Sequence, residues 1–351
     1  MSAIHDSVSR LERRILNIPE LIARTLSQPV PIAPAELAKS TIVVTGAGIA
    51  AGPARFLATY LRHEYGLAAR YCPPSAFAFE GSRPSGETLI VFSQGLSTNA
   101  QMVLEHASHY AHVTLVTAST ADASGTLAQR RVAELVEAGV QLVTHGPKRE
   151  EGMLVRVLGP IASSLQSVRW ATGFGKAANL KSSLKALASV VEAAQEEASK
   201  VITSVNPELF FGDVAFVTIG GYGDACRGLS WKWMEGLWTA EPAIWDILQV
   251  AHGPLQTFWD REITLIALTD DSQATDALLA RLRGVIHPDR HHLIQLKAWT
   301  PGALGIFEHG AALDRLMLAA LKVRPRDLES WPGKGADEPL YGLSSPLPDP
   351  S

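Results

Sequence analysis

Residues 40–61, STIVVTGAGIAAGPARFLATYL, run from an apolar β-type stretch through a glycine turn into a helical pattern. The same order returns at residues 213–238, DVAFVTIGGYGDACRGLSWKWMEGLW. Each copy is followed by a second strand, polar turn and helix: ETLIVFSQGLSTNAQMVLEHA at 87–107 and EITLIALTDDSQATDALLARL at 262–282. Gly46 and Gly220 lie 174 positions apart, and Ser93 and Thr269 lie 176 apart. Two nearly constant offsets predict a duplicated α/β domain. The runs TIVVT and TLIVF have no polar alternation, which predicts parallel sheets covered by helices on both faces, a three-layer α/β/α arrangement. In such sheets ligands sit at the carboxyl ends of the strands.

The rest of the chain is read outward from that repeat. Residues 1–38 form an N-terminal helical segment, with Ile and Leu in 1–26 spaced as on one amphipathic helix. Residues 39–180 make the first domain with its connecting helix, 181–328 the second domain and 329–351 a tail. Two helices are expected over 154–175 and 179–202. After Asp327 the chain turns rich in Pro, Gly and acid, which predicts a tail laid over the surface or partly disordered.

With 351 residues and 46% hydrophobic content the chain can bury a sizeable core. Its net charge of -4, with basic residues scattered, argues against nucleic acid and anionic membranes and for a small-molecule ligand. No apolar run is long enough to span a bilayer, and the amino terminus lacks a signal-peptide core. Cys72 and Cys226 are far apart and make neither a CxxC pair nor a disulfide framework, which fits a reducing cytoplasm.

Four polar side chains, Ser93, Gln94, Ser97 and Thr98, stand where a strand hands over to a helix. Backbone N–H groups and the helix dipole favour an anion there, although the same residues suit an ordinary N-cap. The turn VTGAGIAAG is close to a dinucleotide fingerprint. The segment that should supply a ribose-binding acid reads Ala68, Ala69 and Arg70, and no tyrosine stands four residues before a lysine. A nicotinamide enzyme therefore stays a minor alternative, and no cofactor is expected. His291 and His292 lack the spacing of a zinc helix, so no metal is expected, and PDRHHL reads as a solvated turn. Glu235 at a helix end and His252 before Gly-Pro suit two acid-base groups placed apart. They also suit an exposed helix acid and a loop histidine. Trp231, Trp233, Trp238 and Trp245 cluster around Glu235 in sequence, as an interface or an internal core would have them.

Over residues 39–328 the twofold pattern, the hydroxyl loop after the first-half strand and the Glu…His-Gly-Pro order resemble the double-SIS group of sugar isomerase domain proteins. That group holds phosphosugar isomerases, deaminases and deglycases. The resemblance implies a sugar phosphate or related carbohydrate derivative on Ser93, Gln94 and Thr98, with Ser97 standing in for a missing serine. It implies ring opening by His252 across the interface of a homodimer, and proton transfer between adjacent carbons by Glu235. Gly48 of the first glycine turn, Glu150, Arg156 and Lys334 complete the implied substrate site. Gly95 and Leu96 replace a serine and a glycine of the usual loop, Ile49 and Ala50 replace a hydroxyl residue of the first turn, and Ser330 stands where a lysine is usual. Only Glu150 and Gly152 match the segment after the first domain, and the interval from Glu235 to His252 is one residue long. Asp270 and Asp271 in the second repeat would repel phosphate, so one ligand site per pair of domains is expected. No amidotransferase half is expected, which leaves isomerisation or amino-sugar deamination as the implied activity. A non-catalytic regulatory sugar binder is the competing class.

Overall fold

The computed structural model describes residues 2–79, 86–146, 150, 152–175 and 180–336. It opens with two helices, α1 (Ser2–Leu16) and α2 (Ile18–Ser27), where the spacing predicts one. The break at Asn17 follows from Pro19, which has no N–H and whose ring would strike the carbonyl of Ile15 in a continuous helix. The chain then divides into two units.

The first-sheet unit comprises Ile22–Glu151, Leu158–Leu180 and Ser330–Ser351. In chain order it contains β1 (Ile42–Gly46), α3 (Ala51–Tyr65), β2 (Ala69–Tyr71), α4 (Pro74–Phe79), β3 (Thr88–Phe92), α5 (Thr98–Leu104), β4 (His112–Thr117), α6 (Leu127–Glu137), β5 (Gln141–Thr144) and α7 (Leu158–Ala171). All strand pairs are parallel and the order is β2-β1-β3-β4-β5. Val43, Leu89, Val91 and Leu115 meet side chains of α4, α5 and α6, while α3 and α7 pack on the other face. That is why the strands read as unbroken apolar runs. Helix α7 starts at Leu158 rather than 154, and its Pro160 is harmless because the first turn has no helical acceptor for an N–H.

Just beyond α7, the backbone of Ala33 crosses Gly173, and Ala33 N donates to Trp170 O at 2.8 Å. A Cβ on Gly173 would lie 1.9 Å from Ala33 O and 2.7 Å from Ala33 N. Neither backbone atom can step aside alone. Gly173→Ala is therefore expected to lower stability by about 1–3 kcal/mol, the usual cost of overpacking, read as a lower denaturant midpoint at unchanged slope.

The second-sheet unit comprises Met1–Leu21, Gly152–Val157 and Lys181–Glu329. It contains α8 (Leu180–Ser204), β6 (Val214–Thr218), α9 (Arg227–Leu237), β7 (Ala243–Asp246), α10 (Pro254–Phe258), β8 (Ile263–Thr269), α11 (Gln273–Val285), β9 (His291–Lys297) and α12 (Ile306–Val323). Its strands are again all parallel, in the order β7-β6-β8-β9. The chain reverses its direction of travel across the sheet between β1 and β3 in the first sheet and between β6 and β8 in the second, the position where ligand crevices form. Helix α1 joins this unit: Glu12 pairs with Lys322 of α12 at 2.6 Å, and Ile15 O accepts from Gln195 Nε2 of α8 at 2.7 Å. Residues 152–157 are tied in by Leu154 N, which donates to Leu328 O at 3.0 Å.

One expectation changes here, and two that held alternatives are narrowed. PDRHHL is not a solvated turn throughout, because His291 opens β9 and is buried, its Nδ1 accepting from His287 N at 2.9 Å. Its neighbour His292, half-buried, faces the other way and meets Glu262. The start of the tail is not loose, since Leu328 is fully buried and Glu329 pairs with Arg10 at 2.6 Å. Residues 337–351 lie outside the described residues. Of the four tryptophans, Trp233 packs edge-on to Phe210 and Phe216, and Trp245 stacks on Phe258, so both belong to this unit's own core. Cys72 and Cys226 are both buried and are not joined in a disulfide. No helix of the described residues is long and apolar enough to cross a membrane.

Candidate functional site

In the first sheet Gly46 pairs with Phe92, so the glycine turn after β1 and the polar loop after β3 leave the carboxyl edge side by side. Gly46 is required by the tightness of the turn, since a Cβ there would fall 2.6 Å from Ala50 O. Gly48 has a φ of +54°, a conformation that glycine adopts at little cost. The loop itself is self-braced. Ser93 is buried and its Oγ accepts from Ser97 N at 3.0 Å; Ser97 caps α5, with Oγ accepting from Ala100 N at 3.4 Å. Leu96 sits at φ +55° where the resemblance led to a glycine, and its carbonyl accepts from Gln101 Nε2. Thr98 begins α5 and is exposed.

A shallow pocket gathers Ser93, Gln94, Ile49, Ala50, His145 and Gly159 at this edge. The side chain of Gln94 rests on Gly159: a Cβ added there would lie 2.6 Å from Gln94 Nε2. Glu150 reaches the same helix start. Its Oε1 accepts from Leu158 N at 3.0 Å and its Oε2 from Gly159 N at 2.8 Å, so the buried carboxylate closes the amino end of α7. Both backbone donors would otherwise be orphaned at a helix end, and the dipole there favours the negative charge.

His145 was missed by the sequence reading. Burial pushes its imidazole down to about 4, against a raising hydrogen bond with the Gly146 backbone, so it is neutral at pH 7. A signal was present, because His-Gly-Pro occurs twice, at 145–147 and at 252–254, and only the second copy was singled out.

The second-sheet unit holds Glu235, Arg156 and His252. Glu235 lies near the end of α9, which stops at Trp238 in the left-handed region and packs on α12 so closely that a Cβ on Gly236 would fall 2.1 Å from Met317 Sδ. Burial pushes Glu235 up to about 7, Arg156 from the 152–157 segment pulls it down, and Oε2 is buried without a hydrogen-bond partner. One turn back on α9, Lys232 and Asp314 form a buried ion pair at 2.6 Å. His252 is exposed on the turn between β7 and α10, where Gly253 takes φ +118° and Pro254 starts the helix. Among the described residues no hydrogen bond or ion pair joins His252 to Glu235. Lys334 is exposed on the turn that follows Trp331, over whose ring its Nζ lies at 4.7 Å. Among the described residues no cluster of three or more His, Cys, Asp or Glu could hold a metal ion.

No family model and no curated protein matches the chain at the level of sequence. Solved structures do match. The chain is similar to the C-terminal domain of glucosamine-fructose-6-phosphate aminotransferase from Francisella tularensis, with a TM-score of 0.67 at 13% identity over 90% of this chain and 96% of that one. The chain has the fold of the double-SIS proteins. The tagatose-6-phosphate ketose/aldose isomerase from Escherichia coli shares it at a TM-score of 0.60 and 16% identity, over 94% of this chain and 95% of that one. So does the glucosamine-6-phosphate deaminase from Thermotoga maritima, at 0.60 and 13%, over 93% and 96%. At these identities the likeness carries the fold and leaves the chemistry to the side chains.

Proposed function

We propose that the chain binds a sugar phosphate or related carbohydrate derivative and interconverts aldose and ketose forms, or deaminates an amino-sugar phosphate, with Glu235 as the acid-base group. The observation that carries this reading is the carboxyl of Glu235, pushed up to about 7 at a desolvated helix end with one oxygen unpartnered. A group that titrates near neutrality can both take a proton from carbon and return it, as 1,2-transfer on an open-chain sugar requires. Arg156 beside it offers a fixed positive charge for a developing enediolate oxygen. The exposure of His252 fits a homodimer in which it serves the partner's site. The likeness in fold to an isomerase and a deaminase of phosphosugars favours this substrate class.

The phosphate belongs, in this reading, to the loop after β3 and the exposed hydroxyl of Thr98. Titration of hexose 6-phosphates and amino-hexose 6-phosphates into Thr98→Val is expected to show affinity reduced roughly tenfold to a hundredfold, the loss of one hydrogen bond to a charged group. Unchanged affinity would remove the phosphate from this loop. The second reading, a regulatory sugar binder, is favoured by the hydroxyls of Ser93 and Ser97, which already serve the loop's own backbone. Tight binding without turnover or solvent exchange would establish it.

A further inference from the structure

The carboxyl edge of the second sheet carries a pocket of its own, between the ends of β6 and β8, where Thr218 pairs with Leu268. Its interior of about 60 Å³ has room for a small solute in place of water. Ile219, Leu268 and Ile306 make apolar walls, and Thr218, Tyr222, Thr300 and Asp270 supply polar groups. No lysine or arginine is among the described residues that line it. Cys226 and His309 at its floor are neutral at pH 7, since burial pushes the thiol up to about 12 and the imidazole down to about 4. His309 Nε2 is turned to Thr269 O at 3.0 Å.

Asp270 is the charged member. The residue is exposed; its partial burial opposes ionisation, and hydrogen bonds from Thr275 and Ser272, with lesser contributions from the backbone and His309, hold the carboxyl below its ordinary value. Asp271, next in the chain, is paired with Lys297, whose ammonium also feels Asp270 and Asp276, the latter on the first turn of α11. An anion entering this pocket would meet the Asp270 carboxylate and no cation among the lining residues, the nearby Lys297 being held by Asp271. An ammonium group would meet a carboxylate already oriented by two hydroxyls, with further hydroxyls within the same walls.

We propose that this pocket is a binding site for a small hydroxylated ammonium compound, its cation against Asp270 and its hydroxyls against Thr218, Tyr222 and Thr300. Its lining contains none of the residues assigned to the phosphosugar, and its charge preference is opposite to that of the loop after β3, so the carboxyl edges of the two sheets would select different groups. A single site per pair of domains, as expected from the acidic turn, is then an incomplete reading of those acids: they exclude phosphate and admit amines.

The test uses an isosteric pair on the full chain. In ligand-observed NMR titrations, 2-amino-1,3-propanediol is expected to bind at least tenfold more tightly than glycerol, which has the same skeleton without the charge, and inorganic phosphate is expected not to compete. Asp270→Asn should bring the amine down to the level of glycerol, roughly tenfold to a hundredfold, while Tyr222→Phe should weaken both compounds severalfold. Thr98→Val, in the loop of the other unit, should leave the amine unaffected. Equal amine binding in a folded Asp270→Asn, no preference of wild type for the amine over glycerol, or loss of amine binding in Thr98→Val would overturn the proposal. Should Asp270→Asn fail to fold, amine affinity unchanged in Tyr222→Phe would overturn it equally. None of these outcomes bears on phosphosugar turnover, so either reading can fail alone.

Discussion

Glu235→Gln is expected to abolish most exchange of the carbon-bound proton with solvent deuterium, a fall of about 10²–10⁴, while leaving the phosphosugar bound. Glutamine keeps the shape and size of the side chain at the end of α9 and removes the base. Binding should survive because the phosphate is assigned to the loop of the other unit. In wild type the exchange rate should rise with pH as Glu235 ionises around pH 7, and this limb should vanish in the variant. Stability gives an independent readout with a definite sign. A carboxyl raised from 4.5 to about 7 on folding favours the folded state fully below pH 4.5, and this contribution is lost as pH rises through 7. Glu235→Gln has no such group, so relative to wild type it should gain stability between pH 5 and pH 8. A variant that lost activity and also melted earlier at pH 8 would point to a structural role for the carboxyl instead. His252→Asn should behave differently, slowing a cyclic substrate more than one already held open.

The same residues mark how far the sequence carried. The strand, turn and helix order was legible because β1, β3, β6 and β8 are buried on both faces, and burial on both faces erases the polar alternation that would have suggested anything else. Gly46 was legible for a similar reason, since its place in the turn admits no Cβ. The partnership of Glu235 and Arg156 was not. It depends on residues 152–157 belonging to the second-sheet unit while 150 and 158 belong to the first, and no local periodicity announces a segment that changes units for six residues. The elevation of Glu235 was hidden too, because it arises from burial of the carboxyl in the folded unit, which nothing in the local α9 sequence announces. His291 misled for the opposite reason. Its neighbours Asp289 and Arg290 are polar and exposed, while its own ring is buried under Phe258 at 4.9 Å between centroids.

Glu150 was read from sequence as a substrate residue, and its environment leads to a different expectation that a single variant can separate. Both carboxylate oxygens accept backbone N–H groups at the start of α7, and the residue is 3% exposed. Glu150→Ala leaves two buried donors at that helix end with no acceptor from this side chain. Each lost hydrogen bond to a charged group costs about 1.5–3 kcal/mol, so the pair should cost roughly 3–6 kcal/mol, a large part of the 5–15 kcal/mol that holds an ordinary domain together. Glu150→Gln retains one acceptor oxygen but turns an NH₂ group toward the other donor, so it should recover part of the loss. The expected order of denaturant midpoints is wild type, then Glu150→Gln, then Glu150→Ala. Gln94 is the sensitive reporter of the damage, because it rests on Gly159, one of the two residues that Glu150 holds. As α7 frays, Gln94 should lose its seat and phosphosugar affinity should fall together with stability. Were Glu150 instead a group that touches the sugar, Glu150→Ala would weaken binding while unfolding at the wild-type midpoint, and the helix-closing role would be refuted.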